Sequence, residues 1–266
     1  MMTRTPMPAL GLGTYKLTGE ACRRAVAEAL ALGYRHIDTA RFYGNEAEIG
    51  AAIRQSGLPR GDLFITTKVW RTELAPDRLR ASLTGSLADL GLDHVDLLMI
   101  HWADPEVPMA DTLGAMIDLV AKGRVGAIGV SNFTPALLAE ARQHAPIACN
   151  QVEYHPFLAQ TPLLAACRAS NTTLAAYCPL ARGLVSQDPT LIALARAHGR
   201  TPAQIALAWL LHQPGVAALP KGTSHAHLIE NIDVLSLKLD AEEIAAIDGL
   251  ARGQRLVNPP WAPIWG

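Results

Sequence analysis

His36-Ile37-Asp38-Thr39-Ala40-Arg41-Phe42-Tyr43-Gly44-Asn45-Glu46 starts as a strand and ends where a helix begins. A carboxylate and a phenol, Asp38 and Tyr43, lie between the two. A strand running straight into a helix is half of a βα repeat, and the flanking sequence repeats it in both directions. Upstream, Met7 to Tyr15 reads as a short strand ending in a glycine-rich turn. A helix follows, with Cys22, Val26, Ala29, Leu30 and Gly33 on one face, and Gly33 ends it before a strand over Tyr34 to Thr39. Downstream, Glu46 to Gln55 is helical and closed by Gly57.

The alternation then continues. Strands are expected at Leu63–Val69, Val95–Ile100, Val125–Val130, Ile147–Val152, Thr173–Tyr177 and Val216–Leu219. Between them, a helix from Pro76 places Leu79, Leu83, Leu87 and Leu90 on one side and stops at Gly91. Met109–Ala121 is helical before Gly123, Thr134-Pro135 opens a helix to about His144, and Thr161-Pro162 opens another. Thr201-Pro202-Ala203-Gln204 carries a capping-box pattern. Helices near His225–Val234 and Ala241–Leu250 follow, and the tail Arg255–Gly266 reads as an ordered loop.

Short, continuously apolar strands with a helix in each interval describe a parallel sheet buried on both faces. Eight such units fit a (β/α)8 TIM barrel, so residues 1–266 are expected to form one domain. The competing arrangement is an open doubly wound sheet, which calls for GxGxxG after the first strand. Gly11-Leu12-Gly13-Thr14-Tyr15-Lys16 lacks the third glycine.

Composition narrows the function classes. Half of the 266 residues are hydrophobic and 18% are charged, below the usual ~25%. A net charge of −1 gives no footprint for nucleic acid or an anionic membrane. Cys22, Cys149, Cys167 and Cys178 form no CxxC or metal-ligand spacing; they read as buried free thiols in a reducing cytoplasm, with no metal site. Met1–Gly13 lacks the apolar run of about 7–15 residues that export needs, and no stretch nears the roughly 18 residues of a membrane span.

Barrel active sites sit at the C-terminal ends of the strands. Asp38, Lys68 and His101 each fall at or just beyond such an end, and Tyr43 follows in the loop after Asp38. A lysine in a buried strand needs a partner, and Asp38 is the nearest by topology. An ammonium held by a carboxylate is expected to lower the pKa of a nearby phenol, and a histidine can donate a hydrogen bond to a substrate carbonyl. This set can protonate a carbonyl oxygen, but it contains no reductant.

Gly11-Leu12-Gly13-Thr14-Tyr15, His36 to Ala40, Tyr43 to Glu46, Ile100-His101-Trp102, Gly129 to Phe133 and Asn150 to Pro156 together resemble the aldo-keto reductase family along nearly the whole chain. The short N-terminus, Phe157 to Gln160 and the brief tail after Leu256-Val257 are most similar to its bacterial 2,5-diketo-D-gluconate reductase branch, the B type especially. The resemblance implies NADPH-dependent reduction of aldehydes and ketones by a monomeric enzyme, with no nucleic-acid or membrane partner. Tyr43 would be the general acid, Lys68 and Asp38 its tuning pair, and His101 the group that orients the carbonyl.

Ser131, Asn132 and Gln151 would hold the nicotinamide carboxamide, and Tyr177 would stack on its ring. Gly13, Thr14, Tyr15, Asp38 and Leu180 would also line the coenzyme. Lys221, Gly222 and Thr223 would meet the adenosine phosphate, and Glu230 and Asn231 the adenine. His227 stands where the family commonly has Arg, and Cys178 where a Ser is usual. An imidazole is not always charged, so the preference for NADPH over NADH is expected to be modest and to grow toward acid pH. Tyr15, Tyr43, Trp70, His101 and Trp102, with Trp261 and Trp265 of the tail, would wall a site for small ketoaldehydes or sugar-derived ketones. Two other readings remain: a non-catalytic nucleotide-binding subunit, and a Schiff-base aldolase using Lys68.

Overall fold

The computed structural model describes residues 6–265. Met1–Thr5, part of the N-terminal stretch read for an export signal, and Gly266 of the tail lie outside the described residues.

The elements run β1 (Leu12–Gly13), α1 (Gly19–Ala31), β2 (His36–Asp38), α2 (Glu46–Ser56), β3 (Phe64–Val69), α3 (Pro76–Leu90), β4 (Val95–Ile100), α4 (Met109–Ala121) and β5 (Val125–Ser131). They continue α5 (Pro135–His144), β6 (Ile147–Glu153), α6 (Thr161–Ala169), β7 (Thr173–Tyr177), α7 (Pro189–His198), α8 (Pro202–His212), β8 (Val216–Ala218), α9 (His225–Asp233) and α10 (Ala241–Asp248). All eight strands are parallel and lie in sequence order in one sheet. At its far edge β8 meets the residues that lead into β1. Leu10 bridges Ala218 in parallel, Ala218 N–H donates to Ala9 O at 2.7 Å, and Gly11 N–H donates to Ala218 O at 3.0 Å. Glycine at 11 and 13 permits this approach, because a Cβ on Gly13 would stand 2.7 Å from Leu219 O and one on Gly11 2.7 Å from the Leu219 side chain.

Two corrections to the element reading concern extent. The strands expected over Met7–Tyr15 and Tyr34–Thr39 contract to β1 and β2, because the rest of each stretch turns into loop. The stretch between β7 and α8 is not a plain connection. It holds a 3-10 segment over Ala181–Gln187 and the whole of α7, capped by Asp188, whose side chain accepts from Thr190 N–H and Leu191 N–H. Asp188-Pro189 was the legible signal for that start.

Strand alternation builds two packed layers. One face of the sheet joins the helices in the large core. The other carries Phe64, Leu97, Met99, Cys149, Ala175, Ala217 and Leu219 as a separate cluster. Following that second face toward the C-terminal strand ends, apolar side chains give way to polar ones: Phe64, Thr66, Lys68 on β3; Cys149, Gln151, Glu153 on β6; Ala175, Tyr177 on β7. The period of two therefore delivers a ring of polar groups to one end above an apolar floor. Cys22, Cys149 and Cys167 are buried free thiols as expected, but Cys178, just past β7 with φ of 54°, is partly exposed.

His36 lies under this ring, 1% exposed, with Nε2 3.1 Å from Thr66 Oγ1 and Nδ1 unpartnered. Burial lowers its pKa to about 4. Below the ordinary imidazole value the unfolded chain takes up a proton that the native chain refuses. This group's contribution to stability is therefore complete above about pH 6.5 and is lost as pH falls toward 4, by about 2 kcal/mol at pH 5 and about 3 kcal/mol at pH 4. His36→Gln should flatten the slope of unfolding free energy against pH in that window, as read by denaturant titrations. An unchanged slope would mean that His36 titrates normally.

Candidate active site

Lys68 is among the largest fully buried side chains of the described residues, 1% exposed. A buried ammonium must be paired. Its Nζ donates to Asp38 Oδ1 at 2.6 Å and to Thr39 O at 2.9 Å, and lies 5.2 Å from the centre of the Tyr43 ring. The other oxygen of Asp38 accepts from Gln151 Nε2 at 2.7 Å. One carboxylate thus joins β2, β3 and β6.

Tyr43 ends a 3-10 turn, Arg41–Tyr43, that Gly44 closes with φ of 63°. That left-handed conformation favours glycine. Two side chains not singled out from the sequence fix this turn. Buried Asn45 accepts from Thr39 Oγ1 at 2.7 Å and donates to Thr14 O and Leu17 O at 3.0 and 2.9 Å, tying the loops after β1 and β2 together. Buried Glu46 accepts from Thr67 Oγ1 at 2.6 Å and from Arg41 at 3.1 Å, tying α2 to β3 beside Lys68. Thr14 lies beneath the mouth rather than in it. It is fully buried, and its hydroxyl donates to Asp38 O at 2.9 Å.

His101 follows β4, its N–H held by Val69 O at 3.0 Å. Its ring meets Tyr43 edge-on at 5.5 Å and Trp70 at 5.1 Å, and its Nδ1 is buried without a partner. Burial and the Lys68 charge hold its pKa well below the usual imidazole range, so it is neutral at pH 7. The expected acidification of Tyr43 is reversed. Burial around the phenol, then the charges of Asp38 and Tyr15, raise its pKa well above the usual value. Burial is the largest of these causes, and Lys68, paired with Asp38 at 2.6 Å, does not offset it. The phenol is therefore fully protonated, which is the form that can give a proton away.

Along β5 to β7 the next group assembles. Asn132, with φ of 65°, donates to His101 O and Ser131 Oγ, both at 3.1 Å, and accepts from Tyr177 OH at 2.8 Å. Ser131 Oγ donates to Gln151 O at 2.9 Å. Ser131, Asn132, Gln151 and Tyr177 thus meet beside Asp38. Leu180 is half-buried in the turn after β7.

The other expected coenzyme residues lie along the chain after β8. Lys221, Thr223 and His227 are exposed, and neither Lys221 nor His227 forms an ion pair among the described residues. Ser224 caps α9, accepting from His227 N–H at 3.3 Å. Gly222 is buried, where a Cβ would stand 2.4 Å from the Leu228 side chain. Glu230 is half-buried; Asn231 is 4% exposed and hydrogen-bonds the phenol of Tyr34, in the connection between α1 and β2, so it is not on the open face with Lys221.

The rim differs in part from expectation. Tyr15 is 52% exposed, with its ring 5.0 Å from that of Tyr43. Phe42, not anticipated, is 54% exposed and stacks on Trp70 at 3.9 Å and 12°. Trp102 is buried, 5% exposed, with Trp265 packed edge-on at 6.4 Å. Trp261 packs against Trp70 at 6.0 Å.

Residues 9–252 match the Aldo/keto reductase family. Methylglyoxal reductase DkgB of Escherichia coli O157:H7 is 40% identical over 265 residues, spanning 97% of this chain and 99% of that protein. A crystal structure described as a putative 2,5-diketo-D-gluconic acid reductase B superposes with a TM-score of 0.96 at 46% identity, covering 98% of this chain and 94% of that one. A Bombyx mori aldo-keto reductase solved in complex with NADP superposes at 0.88 with 33% identity, over 95% and 92% of the two chains. With a family match across most of its length, the chain belongs to the aldo/keto reductases.

Proposed function

We propose that this chain is a single-domain, closed (β/α)8 barrel that reduces small aldehydes, ketoaldehydes or sugar-derived ketones to alcohols with NADPH. The observation that carries the reading is the Asp38–Lys68 pair set against a protonated phenol and a neutral imidazole at one mouth. The hydrogen bonds between β8 and residues 9–11 support closure.

The donor set fits a dinucleotide. Tyr177, Asn132, Ser131 and Gln151 gather a ring and amide-compatible groups beside Asp38. Exposed Lys221 and His227, free of carboxylate partners, suit a phosphate. Bound there, a reduced nicotinamide supplies the hydride. Neutral His101 orients the carbonyl oxygen toward Tyr43, and the Tyr43 hydroxyl gives that oxygen its proton as negative charge gathers on it. Lys68, locked on Asp38, steadies the phenolate that forms, and the aromatic rim keeps water away.

The Schiff-base reading fares worse, because an ammonium held at 2.6 Å by a carboxylate has no lone pair to offer. The test is to follow coenzyme fluorescence as NADPH is added, then coenzyme consumption with methylglyoxal and 2,5-diketo-D-gluconate. Saturable binding with carbonyl-dependent consumption is expected. Binding with no consumption across a wide carbonyl panel would favour the non-catalytic subunit.

His227→Arg should strengthen NADPH binding by roughly tenfold, because a guanidinium offers an always-charged, bidentate contact to phosphate, and should leave NADH binding unchanged. Equal dissociation constants for NADPH in the two proteins would place His227 away from the phosphate.

A further inference from the structure

The last stretch of the chain, 252–265, contains no helix or strand, yet it walls the mouth. Trp261 packs edge-on against Trp70, whose ring in turn meets His101, and Trp265 covers Trp102. A segment without regular structure holds its position only through the contacts it makes with the rest of the chain. The hydrogen bonds that tie it there end at two places. The Phe157 carbonyl accepts from Arg252 N–H and Gln254 N–H at 3.2 and 3.0 Å. Glu153 takes the rest. Its Oε1 accepts from Leu256 N–H at 2.7 Å and its Oε2 from Val257 N–H at 2.8 Å. Oε1 also meets Nε2 of fully buried His155 at 3.0 Å.

Glu153 is itself fully buried at the C-terminal end of β6, two residues beyond Gln151 and on the same face. A buried carboxylate must be satisfied, and here backbone donors of the tail satisfy both oxygens. Such charge-assisted bonds are short and are stronger than neutral ones.

We infer that Glu153 is a positioning residue for the substrate wall: its carboxylate clamps the tail strap and thereby sets Trp261 and Trp265 over the mouth. The inference rests on the reductase reading for its effect on substrate, but not for the clamp itself. Glu153 touches neither the proton donor nor the Lys68–Asp38 pair, so it acts on substrate fit rather than on the proton step.

The test uses three full-length proteins: Glu153→Gln, which offers the strap one acceptor oxygen instead of two; Val257→Pro, which removes one donor from the strap side; and the double variant. Three quantities are read in each: KM and kcat for a carbonyl substrate, the NADPH dissociation constant, and the rate of trypsin cleavage after Arg255, a site held beside the clamp. Each single variant should raise KM about tenfold, the order of one lost charge-assisted hydrogen bond, with kcat and NADPH affinity nearly unchanged. Both should be cleaved faster. The double variant should be no worse than the poorer single, since both lesions break one clamp.

Losses that multiply in the double variant would overturn the inference, as would an unmoved KM or unchanged cleavage in both singles. If Glu153→Gln does not fold, Val257→Pro decides alone. A wild-type protein that reduces no carbonyl would sink the reductase reading, while cleavage after Arg255 would still report on the clamp.

Discussion

Tyr43→Phe should lower the rate of carbonyl reduction by about 10²–10⁴-fold, the usual worth of a positioned general acid. The hydroxyl is used only as charge develops on the carbonyl oxygen, so its loss should fall on the chemical step and leave NADPH binding intact. The ring stays, and with it the contacts to Tyr15 and His101 at 5.0 and 5.5 Å, so the mouth should keep its shape. Single-turnover rates and coenzyme titrations of the two proteins make the comparison. A Phe variant turning over within tenfold of wild type would show that the proton comes from elsewhere.

The second large effect concerns the buried pair. The side chains of Lys68 and Asp38 are 0% and 5% exposed. Removing one partner of such a pair strands the other charge in a dry site, at about 3–5 kcal/mol. Lys68→Met and Asp38→Asn should therefore each unfold at markedly lower denaturant. The double variant leaves no stranded charge and should recover much of that stability. Activity should not follow: all three should be similarly poor, because the two groups serve the phenol as one unit. Denaturant midpoints beside kcat/KM in the four proteins separate the two effects. Stability losses that simply add in the double variant would mean that the pair seen at 2.6 Å does not couple the two residues.

Much of the architecture was legible because its signals are local. Apolar runs followed by amphipathic stretches, with Gly33, Gly57 and Gly91 as stops, mark the βα units without reference to anything distant. The strand-end positions of Asp38, Lys68 and His101 were legible for the same reason. What escaped depends on closure in space. Gln151 reaches Asp38 across 113 residues of sequence, and no spacing rule points there. Glu153 binds backbone N–H groups of the tail, which have no sequence signature at all. The direction of the Tyr43 shift was misjudged from residue types, since the burial that raises a phenol's pKa is set by the packing around it and not by the residues named beside it. Asn45 and Glu46 sat in the opening stretch, but their work as ties between loops becomes apparent only once the strands pack.

The central claim is hydride transfer to a carbonyl carbon with Tyr43 supplying the proton. It is tested most directly by supplying NADPH carrying deuterium at the transferable position, together with methylglyoxal, and locating the label in the product. The account expects deuterium on the carbon that was the carbonyl, with labelled product all but absent from Tyr43→Phe. Unlabelled product, or borohydride-trapped substrate on Lys68, would contradict it.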